Sequence, residues 1–406
     1  MHRAPVPPRT DWQETAESLG FDFHTLYGRP YWTEDACYVF TLEEIERDLE
    51  DPTAELMALC LAVVERAVRD DEVLASLAIP EPWWTVIRES WQRRDPALYA
   101  RFDLCHDGRG PAKLLELNGD TPTALYESAF FQWLWLEQAM ERGLIPTDAD
   151  QFNSIQEALI AGLGQFLPGC DRRLAPPYGG GLLHLSCVAD NAEDLGNTRY
   201  IQDCAHQAGL ATELVFIENI GVDAAGRLTD LNDRVIETLF KLYPWEFLID
   251  EAYGPHLMGP LAPRMIEPAW KMVLSNKGLL VWLWRMFPDH PNLLPAGFAD
   301  RPWPEGIGAH HVIKPLLSRE GANVRLFDPA LPGGGLAIEG PYGAEGAIVQ
   351  AGHPLPVFRD DHGHQHHAVV GSWFIGGRAC GIGMREDDGP ITLNTSRFVP
   401  HRIVCE

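Results

Sequence analysis

The stretch "KLLELNGDTPTALYES", residues 113–128, decides how this chain is read. Its apolar run Leu114-Leu115-Glu116-Leu117-Asn118 carries a carboxylate and an amide two residues apart. Successive strand side chains point to opposite faces, so Glu116 and Asn118 share one face while Leu115 and Leu117 take the other. Such a face is unsuited to a core. Upstream, "YARFDLCHDGRGPAKLLELN" reads as two strands joined by a turn, because Asp107-Gly108-Arg109-Gly110-Pro111 collects the residues that turns favour. Arg101 and Asp103 share a face by the same two-residue period. Paired as a hairpin, Arg101, Asp103, Glu116 and Asn118 converge on one small surface. Two carboxylates and an amide oxygen are hard ligands suited to Mg²⁺, which is usually held by a few protein oxygens together with substrate phosphates. A hairpin with one solvated face and a surface ion pair accounts for the same residues.

Around this hairpin the chain of 406 residues is long enough for two or three subdomains. A hydrophobic content of 46% with 13 tryptophans describes a folded globular protein. Its 32 basic and 58 acidic residues leave a formal charge of −26. That balance disfavours sequence-independent nucleic-acid binding, which needs a basic surface. It leaves cationic small molecules, polyamines among them, as ligands drawn by attraction. No apolar run reaches the ~20 residues of a membrane helix. The opening "MHRAPVPPRTDW" lacks the apolar stretch of a secretory signal, so the cytoplasm is the expected compartment. Eight scattered cysteines without a CxxC pair are expected to be free, mostly buried thiols.

Residues 41–70 read as one helix, with Thr41 as N-cap and Glu44 as its box partner. A second long helix is expected over 123–141, with Phe130, Phe131, Trp133, Leu134 and Trp135 as core. From Gly181 the pattern becomes strand "LLHLSCV", a helix over about 194–208 and strand "ATELVFI", a unit of parallel α/β sheets. Glu193 and Asp194 sit at the handover from strand to helix, where ligands bind in open α/β sheets and where any helix N-terminus favours acids. Later, "HHVIKPLL", "GAIVQAGHPLPVF", "HHAVVGSWFIGG" and "RACGIGMRE" read as an antiparallel sheet after a helix in "EPAWKMVLSNKGLLVWLWRMF".

There is no GxxxxGK[ST] loop, no GxGxxG between strand and helix, and no GxSxG elbow. Lys314 instead stands inside an apolar strand and must snorkel or meet an anion. The turn behind it, Ser318-Arg319-Glu320-Gly321-Ala322-Asn323, offers backbone N–H groups that can close over phosphates. Lys277 and Arg385 lie in other stretches poor in charge. The "HGHQHH" run at 362–367 reads as a solvated loop, because no second shell or zinc spacing accompanies it.

With "FPDHPNLLPA", "GSWFIGGRACGIGMRE" and "TLNTSRFVPH", these stretches resemble the glutathionylspermidine synthase family, specifically its stand-alone acid–amine ligase members. The resemblance implies an α/β (α+β) protein with a circularly permuted ATP-grasp fold, glutathione-synthetase-like, combining a parallel α/β subdomain with an antiparallel sheet. It implies a helical region with the metal-binding hairpin over 1–170, a substrate subdomain over 171–265 and a nucleotide-binding region over 266–406. Asp103, Glu116 and Asn118 match the family's Mg²⁺ ligands. Lys277 and Lys314 match its ATP-contacting lysines, Gly321 its phosphate-covering loop, and Gln350 an adenine-side hinge residue. Arg101 and Arg385 match arginines at the reacting carboxyl and phosphoryl groups. Thr121 and Thr123 fall where hydroxyl residues meet the thiol-peptide substrate, and Glu193 and Asp194 near an acidic position that meets the amine.

The implied reaction is attack of a carboxylate on the γ-phosphorus of ATP, then displacement of phosphate from the acyl phosphate by a neutral amine. Partners are then a small-molecule acid and amine, with no nucleic acid or membrane and with oligomeric state left open. The bifunctional relatives carry an amidase domain ahead of the synthetase. Here the synthetase-like part begins almost at residue 1, so that hydrolytic activity is expected to be absent. Leu242 stands where the family has a substrate-facing hydroxyl, which puts glutathione and spermidine in question as substrates. An ATP-binding module serving as partner or sensor is the other reading, and an ATP-dependent kinase or phosphatase-like enzyme a third.

Overall fold

The computed structural model describes residues 1–26, 28–166 and 182–404. Cys170, Gly181, Cys405 and the expected boundary near residue 170 lie outside them. The hairpin forms as its period-two pattern dictates. Strands Tyr99–Cys105 and Lys113–Asn118 pair antiparallel, with Arg101 opposite Asn118 and Asp103 opposite Glu116. A bulge between Asp103 and Leu104 interrupts the ladder beside the carboxylates, a device common next to functional sites.

The strand Tyr99–Cys105 also pairs with Gln365–Ile375, which pairs with Arg378–Asp387 and through it with Arg397–Val399. With Val357–Arg359 on Gln365–Ile375 this makes a six-stranded antiparallel sheet built from both halves of the chain. Gly371 lies opposite Asp103, and Gly383 opposite Gly371. Arg385, two residues past Gly383, therefore shares the face of Arg101, Asp103, Glu116 and Asn118. The glycines make that face passable. A Cβ on Gly371 would stand 2.9 Å from the Arg101 side chain, and one on Gly383 2.5 Å from Ser128 Oγ.

The late alternating stretches, expected as one antiparallel sheet, divide between two. His311–Pro315 and Ala347–Ala351 belong to a separate five-stranded antiparallel sheet with Ala296–Phe298, Arg325–Phe327 and Gly335–Ala337. Alternation marks strands but does not say which edges meet. The expected strand-helix-strand unit is present: Leu182–Ser186, helix Ala192–Gln207 and Ala211–Leu214, in a four-stranded all-parallel sheet with Thr238–Lys241 and Arg264–Ile266.

The first long helix keeps its capping box: Thr41 Oγ1 accepts from Glu44 N–H, and Glu44 accepts from Thr41 N–H. It contains a π-helical turn, Glu46–Glu50, before Asp51–Ala67. The second begins later than expected. Ala124 takes a left-handed φ of 64°, and Leu125 and Tyr126 donate their N–H groups to Asn197 Oδ1, so Thr123 is freed from the helix. Phe131 and Trp135 enter the core, whereas Trp133 is 37% exposed, because only the i, i+4 stripe faces inward.

Among the described residues six cysteines are free and buried, and no helix is long and apolar enough to cross a membrane. His366 and His367 belong to the strand Gln365–Ile375 and not to a loop. His364 and His366 face Asp360, at 3.0 and 3.5 Å.

Candidate functional site

Two polar anchors at the open end of the hairpin set its angle. Fully buried Lys241 donates to Asp120 Oδ1 at 2.6 Å, and Trp245 N–H to Asp120 Oδ2 at 3.0 Å, which ties the hairpin to the parallel sheet. Lys271 donates to the carbonyls of Tyr99 and Gly119 at 2.8 and 2.7 Å and pairs with Glu267 at 3.1 Å.

Two clefts open on the face so held, with volumes of about 320 and 490 Å³. Lys277, Lys314 and Gln350 line the first, between apolar walls that include Val312, Val324 and Leu326. Arg101, Asn118, Thr121, Thr123, Asp194 and Arg385 line the second. Asp103, Glu116 and Gly321 line both, so the clefts meet at the two carboxylates and under the 318–323 turn. Glu193 is on the lining of neither cleft. It lies half-buried in the first turn of Ala192–Gln207, where burial raises its carboxyl against the pull of Arg385.

Electrostatics divide the site. Arg101 grips both oxygens of Asp103, at 2.7 and 3.1 Å, and donates to Thr123 O at 2.6 Å. Asn118 donates to Asp103 Oδ2 at 3.1 Å. Burial raises the Asp103 carboxyl, against the pull of Arg101. Burial also opposes charge on Glu116, but Lys277, 3.1 Å away, and Lys314 outweigh it and bring that carboxyl down to about 2. Lys314 donates to Leu115 O at 2.8 Å and to Gln350 Oε1 at 2.9 Å, and burial pulls its ammonium down to about 8. Gln350 in turn donates to Leu114 O, so its side chain orients the lysine on the lining of the first cleft. Burial, then Glu193 and Glu320, push Asp194 up to about 7. Arg385 donates Nε to Ser396 O and Nη2 to the carbonyls of Leu393 and Asn394; Nη1 has no hydrogen-bond partner among the described residues.

The turn over the clefts needs its glycine: Gly321 has φ 75°, and a Cβ there would lie 2.8 Å from Thr392 O. Glu320 and Asn323 also hold left-handed φ values, 54° and 55°, a local cost that functional loops carry. Residues given no role from sequence line the second cleft or lie under it. Arg319 donates to Glu246 Oε1 at 2.6 Å and to Thr121 Oγ1 at 3.0 Å. Glu127 and Tyr31 lie buried beneath Arg385. A charged residue beside the loop glycine was the available signal for Arg319; Glu127 falls inside a helical pattern and carried none.

A family profile described as "Glutathionylspermidine synthase preATP-grasp" matches residues 3–404. The chain is 40% identical over 408 residues to a Haemophilus influenzae protein named "Putative acid--amine ligase", covering 98% of each. It is 28% identical over 319 residues to the "Bifunctional glutathionylspermidine synthetase/amidase" of Escherichia coli, covering 72% of this chain and 48% of that protein, so it spans about half of that relative. Among solved structures, a glutathione synthetase-like effector of Globodera pallida superposes with a TM-score of 0.53 at 11% identity, over 97% of this chain and 96% of that one, a likeness of fold. The profile runs through both chain halves that build the six-stranded sheet, and this protein belongs to the glutathionylspermidine synthase family.

Proposed function

We propose that the chain is an ATP-dependent acid–amine ligase with a circularly permuted ATP-grasp fold, in which the hairpin precedes the nucleotide-binding half. The observation that carries this reading is the meeting of two clefts at Asp103 and Glu116 under one glycine turn. A lysine-bearing apolar cleft suits a nucleotide. The second cleft, lined by Arg101, Arg385 and Asp194, suits a carboxylate and a cationic amine. The division of labour follows 1–170 for the metal hairpin, 171–265 for substrate and 266–406 for nucleotide.

In the first step a substrate carboxylate oxygen bonds to the γ-phosphorus of ATP, and the β,γ bridging bond breaks to release ADP. In the second, the amine nitrogen bonds to the acyl carbon, the carbon–oxygen bond to phosphate breaks, and the ammonium proton passes to solvent or a carboxylate. Negative charge grows on phosphoryl oxygens and then on the tetrahedral oxygen. Arg101 and Arg385, held by Asp103 and by backbone carbonyls, are preorganised to stabilise it. Lys277 and Lys314 meet the nucleotide phosphates, and Thr121 and Thr123 orient the acid.

Asp103, Glu116 and Asn118 are a hard-oxygen set that fits Mg²⁺. Among the described residues no group of three His, Cys, Asp or Glu gathers, and Mg²⁺ usually takes only a few protein oxygens together with substrate phosphates. These three residues would hold the ion, which when bound supplies charge stabilisation at the phosphoryl oxygens. The acid is peptide-like or amino-acid-like and the amine a polyamine in this proposal. ADP release from Mg·ATP across a panel of carboxylic acids, each with and without hydroxylamine, tests it. Acid-dependent release with hydroxamate formation is expected; tight Mg·ATP binding without release under any pairing would overturn it in favour of a binding module.

A further inference from the structure

Arg385 rests on groups to which the ligase reading gives no task. Its Cζ lies 5.3 Å from the ring centroid of Tyr31, within the range where a cation is attracted by the negative face of an aromatic ring. The Tyr31 hydroxyl donates to Glu127 Oε1. Both residues are buried, at 1% and 0% exposure, and Glu127 Oε2 has no hydrogen-bond partner among the described residues. A buried carboxyl with an idle oxygen is costly, and its retention asks for a reason.

Three separate segments bring these groups together. Tyr31 O accepts from Phe398 N–H at 2.6 Å, and Phe398 is the residue paired with Arg385 across the sheet. Glu127 is fixed by the delayed helix start that Asn197 caps. Gly383 admits Ser128, the next residue, against the strand carrying Arg385. A phenol that donates to a carboxylate gains electron density in its ring, so the ring face holds a guanidinium more firmly. Burial and then Glu193 push the Glu127 carboxyl up to about 7, while the Tyr31 hydroxyl and Arg385 favour its charge.

We propose that Tyr31 and Glu127 are positioning residues: Glu127, through the Tyr31 hydroxyl, strengthens the aromatic seat that fixes the Arg385 guanidinium with Nη1 turned free. The kinetic consequence rests on the ligase reading; the seat itself does not. Tyr31→Phe keeps the ring and loses the link, Glu127→Gln keeps the shape and loses the charge, and Glu127→Asp keeps the charge.

The test measures two things in full-length protein: the rate at which phenylglyoxal modifies Arg385, mapped by peptide mass spectrometry, and kcat with KM for ATP in the hydroxamate assay. Tyr31→Phe and Glu127→Gln are each expected to label roughly five- to tenfold faster and to lose kcat by a similar factor with KM for ATP unchanged. The double variant goes no further, because the two residues act in series, and Glu127→Asp recovers most of the loss. Unchanged labelling in both single variants, or effects that multiply in the double, would overturn the seat. If the native enzyme turns over no acid, the ligase reading falls, and the labelling rates still decide the seat alone.

Discussion

Four lysines surround the hairpin, three buried and Lys277 half-buried, and they divide into two kinds. At its open end, Lys241 faces Asp120 at 2.6 Å and Lys271 faces Glu267 at 3.1 Å, one carboxylate for each ammonium. In the first cleft, Lys277 and Lys314 share the single carboxylate of Glu116 and otherwise lean on the Ser318 and Leu115 carbonyls and on Gln350. The first pair is balanced and packed shut. The second leaves positive charge beside open volume. A buried charge with its full complement is architecture, because breaking it strands its partner. A buried charge left in surplus next to a cleft is a place for an anion.

Substitutions can break that comparison. The largest effect is expected on the site face: Arg385→Ala loses on the order of 10²–10³-fold in kcat, the scale of one preorganised donor, with Mg·ATP affinity nearly unchanged. Near-normal turnover would remove Arg385 from the mechanism. At the open end, Lys241→Met strands Asp120 and is expected to cost about 3–5 kcal/mol in urea denaturation. A Lys241→Met protein with native stability but lost ATP binding would erase the distinction between the two kinds.

Lys314→Met should do the reverse. Calorimetry is expected to find Mg·ATP affinity weaker by roughly tenfold or more, the scale of a charge-assisted hydrogen bond. Its unfolding midpoint should stay near that of the native protein, since no carboxylate loses its sole partner. The smallest effect concerns pH. Asp194 sits at about 7, so it is charged above that value and neutral below. KM for a cationic amine should therefore rise several-fold as pH drops through about 7, the loss of one attractive charge. Asp194→Asn should flatten that limb; an unaltered profile would take Asp194 out of amine binding.

Much of the site is legible in the amino-acid order. The spacing of Arg101, Asp103, Glu116 and Asn118 puts four polar side chains on one strand face, and the hairpin pairs Arg101 with Asn118 and Asp103 with Glu116. Thr41 and Glu44 announce their capping box. Both are local patterns, set by neighbours two or three positions away. Lys241 and Lys271 are not readable as a paired anchor, since their partners Asp120 and Glu267 depend on how the hairpin meets the parallel sheet. Nor is the turn of Gln350 toward Lys314, which follows from the register of one strand against another.

Short-range chemistry thus writes a set of local faces into the chain: a polar hairpin face, an apolar strand interrupted by lysine, a glycine turn behind it, and a strand-helix-strand unit. Side-chain period and turn chemistry act over a few residues, so the chain states them outright. Long-range packing, in contrast, brings Arg385 onto the face of Asp103, joins two clefts at one pair of carboxylates, and seats Tyr31 and Glu127 beneath Arg385. Those meetings join residues up to hundreds of positions apart. They depend on which strand edges pair and which glycines let elements approach, and these are set by the packing of the whole molecule.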